Sequence, residues 1–249
     1  MAKRRADQLL VDRGLVESRT RAQALIMAGL VYAGQEGDKP VRKAGDQLAE
    51  DTPLCVKGQD HPWVSRGGLK LDHAISAFRL DVTNAIGLDV GASTGGFTDV
   101  LLTHGVARVY AVDVGHGQLA WKLRSDERVI VLEKTNARYL TAEIIPESID
   151  IVVCDASFIS LKTVLPAALE LAKPGAYAVA LIKPQFEAGR ADIGPKGVVR
   201  DPTVHQRVCD DITQWFNDMP DWNVIGLETS PITGPEGNIE FLICARKNL

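Results

Sequence analysis

The sequence predicts an α/β protein: a doubly wound sheet preceded by a small, basic α+β unit. Three observations lead there. From residue 85 onward, short apolar runs rich in Val and Ile alternate with helical segments, the pattern of βα units. The stretch "DVGASTGG" (89–96) joins one such run to a helix through three glycines. Residues 1–45 hold nine Lys/Arg against five Asp/Glu, a balance of +4, so the rest of a chain of net charge −4 carries −8. A basic head on an acidic body points to a polyanionic partner for the head.

At 249 residues the chain suits one medium domain plus a small one. Cys55, Cys154, Cys209 and Cys244 form no CxxC pair, and Cys154 and Cys244 sit in apolar runs, which fits a reducing cytoplasm. No metal site is expected. The basic N-terminus is followed only by short apolar pieces broken by Asp7 and Asp12, so no signal peptide is expected. No apolar run approaches the roughly eighteen residues of a membrane span.

In the head, residues 5–14 read as a helix with Leu9, Leu10 and Arg13 at helical spacing and Gly14 as its stop. A second helix starts at Ser18 as N-cap, puts Ala22, Leu25 and Ile26 on one face, and stops at Gly29 before a short strand, Leu30–Tyr32. Arg19 and Arg21 occupy the first turn of that helix, where the macrodipole disfavours each cation by about 0.3–1 kcal/mol. A phosphate would supply the missing negative charge. Lys3, Arg4, Arg5, Arg13, Arg42 and Lys43 gather in the same unit. The paired helices, the "AGLVYAG" that follows and the "KAGDQL" turn resemble the S-four-like RNA-binding domain over about residues 5–57. The resemblance implies RNA contact, expected from Arg4, Arg5, Arg13, Arg19, Arg21, Lys43 and Arg66. The Gly-rich, polar stretch "KGQDHPWVSRGG" (57–68) marks a boundary. The expected organisation is a domain at 1–58, a linker at 59–67 with Trp63 pinning the two domains together, and a second domain at 68–249.

In the body, "AIGLDVG" is a strand, "GGFTDVLLTHG" a helix stopping at Gly105, and "RVYAVDVG", "RVIVLEK", "IDIVVCDAS" and "AYAVALIKP" four more strands. A dinucleotide fingerprint needs Gly at position 93, which is Ser, so NAD is disfavoured. Asp113, at the end of the second strand, lies where an acidic side chain takes ribose hydroxyls. The D-x-G-x-x-x-G-G loop with this strand-end Asp resembles the Rossmann-like, class I, S-adenosylmethionine-dependent methyltransferases. The resemblance assigns Gly91, Ser93, Gly95, Gly96 and Phe97 to the cofactor loop, Asp113 to the cofactor ribose and Asn136 to its adenine.

The fourth strand ends in Asp155 and the fifth in Lys183, so both emerge at the carboxyl edge, where open α/β sheets bind ligands. A lysine there is not spent on solubility alone when it has companions. Lys70 lies on a helix beginning after Gly68, and Glu240 is read as early in the last apolar strand, after the turn "PEGN". Together Lys70, Asp155, Lys183 and Glu240 resemble, position by position, the tetrad of FtsJ-type ribose 2'-O-methyltransferases. The stretches "SRGGLKL", "DVGASTGGFTD", "CDASFISL", "LIKPQFEAGR" and "SPITGPEGNIEFL" resemble the TlyA-like family, historically called haemolysins, over nearly the whole chain. That resemblance implies methyl transfer to a cytidine ribose in ribosomal RNA, with ribosomal subunits as partners and neither a membrane nor a protein partner.

The residue types suit the chemistry. A ribose hydroxyl is a poor nucleophile until its proton is being removed, and Lys183 is the candidate base. An ordinary lysine is protonated at neutral pH; burial and neighbouring cations favour its neutral form, and carboxylates oppose it. The segment 185–202, with three Gly and two Pro, reads as a mobile loop whose Arg190, Lys196 and Arg200 close over RNA phosphates. Two other classes compete with the enzyme: a membrane-active haemolysin, and a non-catalytic RNA-binding ribosome-assembly factor that works without Lys183.

Overall fold

A computed structural model describes residues 3–16, 18–27, 29–34, 37–57 and 61–249. Residues 58–60, at the start of the expected linker, lie outside them. The chain divides into two compact units between Pro62 and Trp63.

The smaller unit runs β1 (Lys3–Arg5), α1 (Ala6–Asp12), α2 (Arg19–Met27), β2 (Val31–Ala33), β3 (Lys39–Pro40), β4 (Gln47–Ala49) and β5 (Leu54–Val56). It holds a two-stranded pairing of β1 with β4 and a three-stranded sheet in the order β3-β2-β5. Ala6, Leu10, Ala22, Leu25, Ile26 and Val31 form its core. Ser18 caps α2 as expected, its Oγ accepting the Arg21 N–H at 3.2 Å. The strands are too short for their pattern to show in sequence, which is why only one of them was expected.

The larger unit begins with α3 (Gly68–Ala77) and continues β6 (Ile86–Val90), α4 (Gly96–Thr103), β7 (Arg108–Val112), α5 (Trp121–Arg124), β8 (Val129–Leu132) and β9 (Ile149–Cys154). Then come α6 (Leu161–Val164), α7 (Pro166–Glu170), β10 (Ala172–Ile182), α8 (Pro184–Glu187), α9 (Pro202–Asn217), β11 (Trp222–Thr229) and β12 (Phe241–Lys247). They build one seven-stranded sheet in the order β11-β12-β10-β9-β6-β7-β8, with β12 antiparallel to both neighbours and the β10-to-β8 strands parallel. The strand order reverses between β6 and β9, and the cleft over such a switch point is where this class of sheet binds ligands.

Because the central strands are covered on both faces, alternate residues feed two cores. Val152, Cys154, Ala178 and Ala180 face one, with α6, α7 and α9; Ile151, Val153, Val179 and Leu181 face the other, with α3 and α4. The cysteines are therefore small hydrophobes, and burial pushes the Cys154 and Cys244 thiols up to about 12. Trp63 is buried over Gly68 within this unit's own core, and the Val64 N–H donates to Asp99 Oδ2 at 2.8 Å. Residues 63–67, expected as linker, thus pack with the larger unit.

Two local expectations need correction. Glu240 stands just ahead of β12 rather than inside it, its carbonyl accepting the Ser230 N–H at 2.9 Å. Segment 185–202 is not one open loop: it carries most of α8 and two 3-10 turns, Arg190–Asp192 and Pro195–Gly197, and Val198 and Val199 are buried. Apolar burial, hidden by the flanking Gly and Pro, ties it down.

Candidate functional site

The carboxyl ends of β6, β9 and β10 and the start of α3 meet at a cavity of about 280 Å3. α3 presents Lys70 in its first turn, the β9 end supplies Asp155, the β10 end supplies Lys183, and the 234–240 turn delivers Glu240. Lys70 Nζ lies 2.6 Å from Glu240 Oε2 and 3.6 Å from Asp155 Oδ2. Lys183 Nζ lies 2.6 Å from Asp155 Oδ1 and donates to Ser157 Oγ at 2.9 Å. Asp155 is thus shared by two ammonium groups. The side chains of Lys70 and Lys183 are 9% and 8% exposed, and that of Glu240 is fully buried. Two cations and two carboxylates balance, which is what makes such burial tolerable; removing one partner of a buried pair costs about 3–5 kcal/mol.

A second cavity of about 490 Å3 adjoins the first, and Gly91, Ser93, Asp155 and Ser157 line both. Asp113 and Asn136 line the second. Gly91 has φ +82°, and a Cβ there would stand 3.2 Å from Ala156 Cα, so only glycine lets the β6 and β9 ends approach so closely. Asp113 accepts the Ser93 N–H at 2.8 Å and the Gly115 N–H at 2.7 Å, bracing the glycine loop from the next strand. Each of its oxygens keeps a second lone pair for a hydroxyl. Gly96 and Phe97 line the smaller cavity, whereas Gly95 packs under Leu119 and Leu123 and lines neither. Asn136 caps a 3-10 turn, accepting the Arg138 N–H at 3.1 Å.

Asp89 was read as the strand end that opens the D-x-G-x-x-x-G-G loop, without a role of its own. It is fully buried, and its Oδ2 accepts the Thr98 N–H at 2.9 Å and the Thr98 hydroxyl at 2.7 Å. Its Oδ1 has no hydrogen-bond partner among the described residues, and the residue lines the smaller cavity. Burial, opposed by the Thr98 bonds and reinforced by Asp155 and Asp113, pushes its carboxyl up to about 7. Phe158 also escaped notice: it is 89% exposed, has φ +64°, lines the larger cavity and leans on Phe186 with ring centroids 5.0 Å apart. Glu187 holds that loop, accepting the Ser160 hydroxyl at 2.6 Å and the Leu161 N–H at 2.8 Å.

In the smaller unit most of the expected RNA contacts already have partners. Arg4 pairs with Asp12 and Glu50, Arg13 donates to the Thr52 and Glu50 carbonyls, and Arg5 and Arg19 share Asp7. The missing negative charge beside Arg19 therefore comes from α1, not only from a ligand. The Arg5 guanidinium, with Gln23 and Arg19, holds the Asp7 carboxyl well below the usual carboxylate range. Arg21 and Lys43 make no ion pair among the described residues. In the larger unit, Arg66 is exposed and lines the smaller cavity.

The model of the FtsJ-like methyltransferases matches residues 63–247. The 16S/23S rRNA (cytidine-2'-O)-methyltransferase TlyA of Mycobacterium tuberculosis is 48% identical over 248 residues, 99% of this chain and 91% of its own length. Hemolysin A of Brachyspira hyodysenteriae is 40% identical over 239 residues, 96% of this chain and 98% of its own. The solved structure of a hemolysin-named protein from Streptococcus thermophilus superposes with a TM-score of 0.78 at 45% identity, covering 100% of this chain and 90% of that one.

Proposed function

This chain belongs to the FtsJ-like methyltransferase family, and on that premise we propose that it transfers a methyl group from S-adenosylmethionine to the 2'-hydroxyl of a cytidine ribose in ribosomal RNA. The observation that carries the reading is the Lys183–Asp155–Lys70–Glu240 chain of contacts at the cavity mouth, beside a glycine loop braced by Asp113.

The residues fit the cofactor on two counts. Gly91 leaves a cradle that a Cβ would fill, and Asp89 presents an unpartnered carboxylate oxygen beside the smaller cavity, a suitable partner for a cation. Asp113 and Asn136 would take the nucleoside in the larger cavity. When bound, the cofactor supplies a methyl carbon on a positively charged sulfur, so no metal is needed. With one of its own protons first given up to solvent, Lys183 accepts the proton of the attacking hydroxyl at Nζ. Asp155 and Ser157 fix where that nitrogen sits; Glu240 and Lys70 fix Asp155 from the other side. In-line positioning of the hydroxyl supplies much of the remaining acceleration.

The smaller unit is proposed to bind RNA through its arginines and lysines, with Arg66 guiding the strand at the cavity of the larger unit. A ribosomal RNA substrate supports a cytoplasmic site of action. The hemolysin names of some relatives favour a lytic reading; among the described residues no helix is long and apolar enough to cross a membrane.

The test is transfer of labelled methyl from S-adenosylmethionine to unmethylated ribosomal subunits, by wild type and Lys183→Ala, with the modified nucleotide mapped. Incorporation into a cytidine ribose, reduced by about 100-fold or more in the variant, is expected for loss of a general base. Equal incorporation by both rejects Lys183 as the base. Cell lysis by purified protein that survives Lys183→Ala, without any methyl transfer, would favour the lytic reading.

A further inference from the structure

Glu240 reaches Lys70 from a turn, and its own hydrogen bonds do little to orient it: Oε2 meets Lys70 Nζ, while Oε1 has no hydrogen-bond partner among the described residues. The backbone beneath it must do that work. Gly234 is the floor, since a Cβ there would stand 2.1 Å from Glu240 Oε1.

Asn238 holds that floor in place. Its carbonyl accepts the Gly234 N–H at 2.8 Å, closing the turn. Its side chain, on a residue only 4% exposed, spans to a different segment: Oδ1 accepts the Val199 N–H at 3.1 Å and Nδ2 donates to the Gly197 carbonyl at 3.2 Å. One amide therefore uses its oxygen and one of its N–H donors on the 197–199 strap. From α9, His205 Nε2 donates to the Val199 carbonyl at 3.0 Å, which places the ring proton on Nε2 because a carbonyl only accepts. The His205 ring also meets the edge of Phe241, the residue after Glu240, with centroids 5.7 Å apart. The strap is thus fixed to the turn on both sides. Asn238 lines neither cavity, so it does not touch what binds there.

We infer that Asn238 is a positioning residue for methyl transfer: by bonding the 197–199 strap to the 234–240 turn it holds Glu240 against Lys70, and through them Asp155 beside Lys183. The inference rests on the methyltransferase reading given above. It also links the exposed cations Lys196 and Arg200, which flank the strap, to the tetrad.

The experiment is a double-mutant cycle in the full chain, with methyl transfer to unmethylated ribosomal subunits as the readout. Asn238→Ala and Glu240→Gln are each expected to lower kcat by about ten-fold or more, since small misplacements near the chemistry are costly. The double variant is expected to be no slower than the slower single, because both changes act through one carboxylate. The Kd for S-adenosylhomocysteine, measured by calorimetry, should stay within about two-fold of wild type, the mark of lost positioning rather than lost binding. If Asn238→Ala does not fold, Asn238→Asp serves in its place, keeping the acceptor for Val199 and losing the donor to Gly197. Losses that multiply in the double variant, or an unchanged kcat in Asn238→Ala, overturn the inference. A wild type that binds S-adenosylhomocysteine yet transfers no methyl group overturns the methyltransferase reading beneath it.

Discussion

Asp89 makes the folded chain sensitive to pH in a direction opposite to most carboxylates. Its carboxyl titrates near 7 when buried and near 3.8 when exposed, so between those values the folded chain keeps a proton that the unfolded chain has released. The stabilisation is complete below about pH 4 and fades as pH rises to 7, by roughly 4 kcal/mol in all at 1.36 kcal/mol per pH unit. Glu187, also raised by burial, acts in the same direction. The lowered carboxyls, Asp7 and Glu133, act in the opposite sense but below pH 5. Urea midpoints of wild type should therefore fall between pH 5 and pH 8. Asp89→Asn, which still accepts both Thr98 bonds and does not titrate, should lose most of that decline; an equally steep decline would show that Asp89 is ionised throughout. Residues of this kind were the least legible in sequence. Asp155 and Lys183 could be read because strand ends place them at one edge; Asp89 showed only as the first residue of the glycine motif, not as a buried group, and Asn238 acts on a segment 39 residues away. Lys70 and Glu240 are 170 residues apart, and only the family pattern, not spacing, joined them.

Among the elements, the parallel strands were the easiest to read, because burial on both faces leaves continuous apolar runs. α9 was also there to be read. Asp201 caps it, accepting the Thr203 N–H at 2.8 Å, Pro202 opens it, and Val204, Val208, Ile212 and Phe216 recur every four residues on the buried face. The loop read over 185–202 ends on the first residue of α9, and residues 203–217 were assigned no element. The last turn of the helix carries Phe216 into the core. Phe216 is fully buried and packs edge-on against Trp215 and Trp222, with centroids 4.8 and 6.3 Å away. Phe216→Ala should cost about 3–5 kcal/mol, read as a lower urea midpoint. Phe216 lines neither cavity, so cofactor affinity per folded molecule should not change.

For the molecule as a whole, the division of charge sets how the proposed RNA contact should respond to salt. Binding that neutralises phosphates weakens with salt, by a slope of about 0.7–0.9 in log K per phosphate contacted. Arg21→Ala and Lys43→Ala remove cations that make no ion pair among the described residues, and each should flatten that slope by about one. Arg4→Ala should flatten it less, because Arg4 already faces Asp12 and Glu50. Equal slopes for all three would place the RNA on another surface. The charge asymmetry itself was plain in composition; the pairing of Arg4 with Glu50 and of Arg19 with Asp7 was not, since those partners lie 46 and 12 residues away. The sheet order carries one more consequence. β12 is made after β10 and β11, yet it lies between them and is hydrogen-bonded to both. During synthesis β10 therefore waits with an open edge and β11 has no neighbour until residues 241–247 emerge and insert. Glu240 arrives with the same stretch, so a growing chain acquires its complete sheet and the fourth residue of the proposed tetrad together.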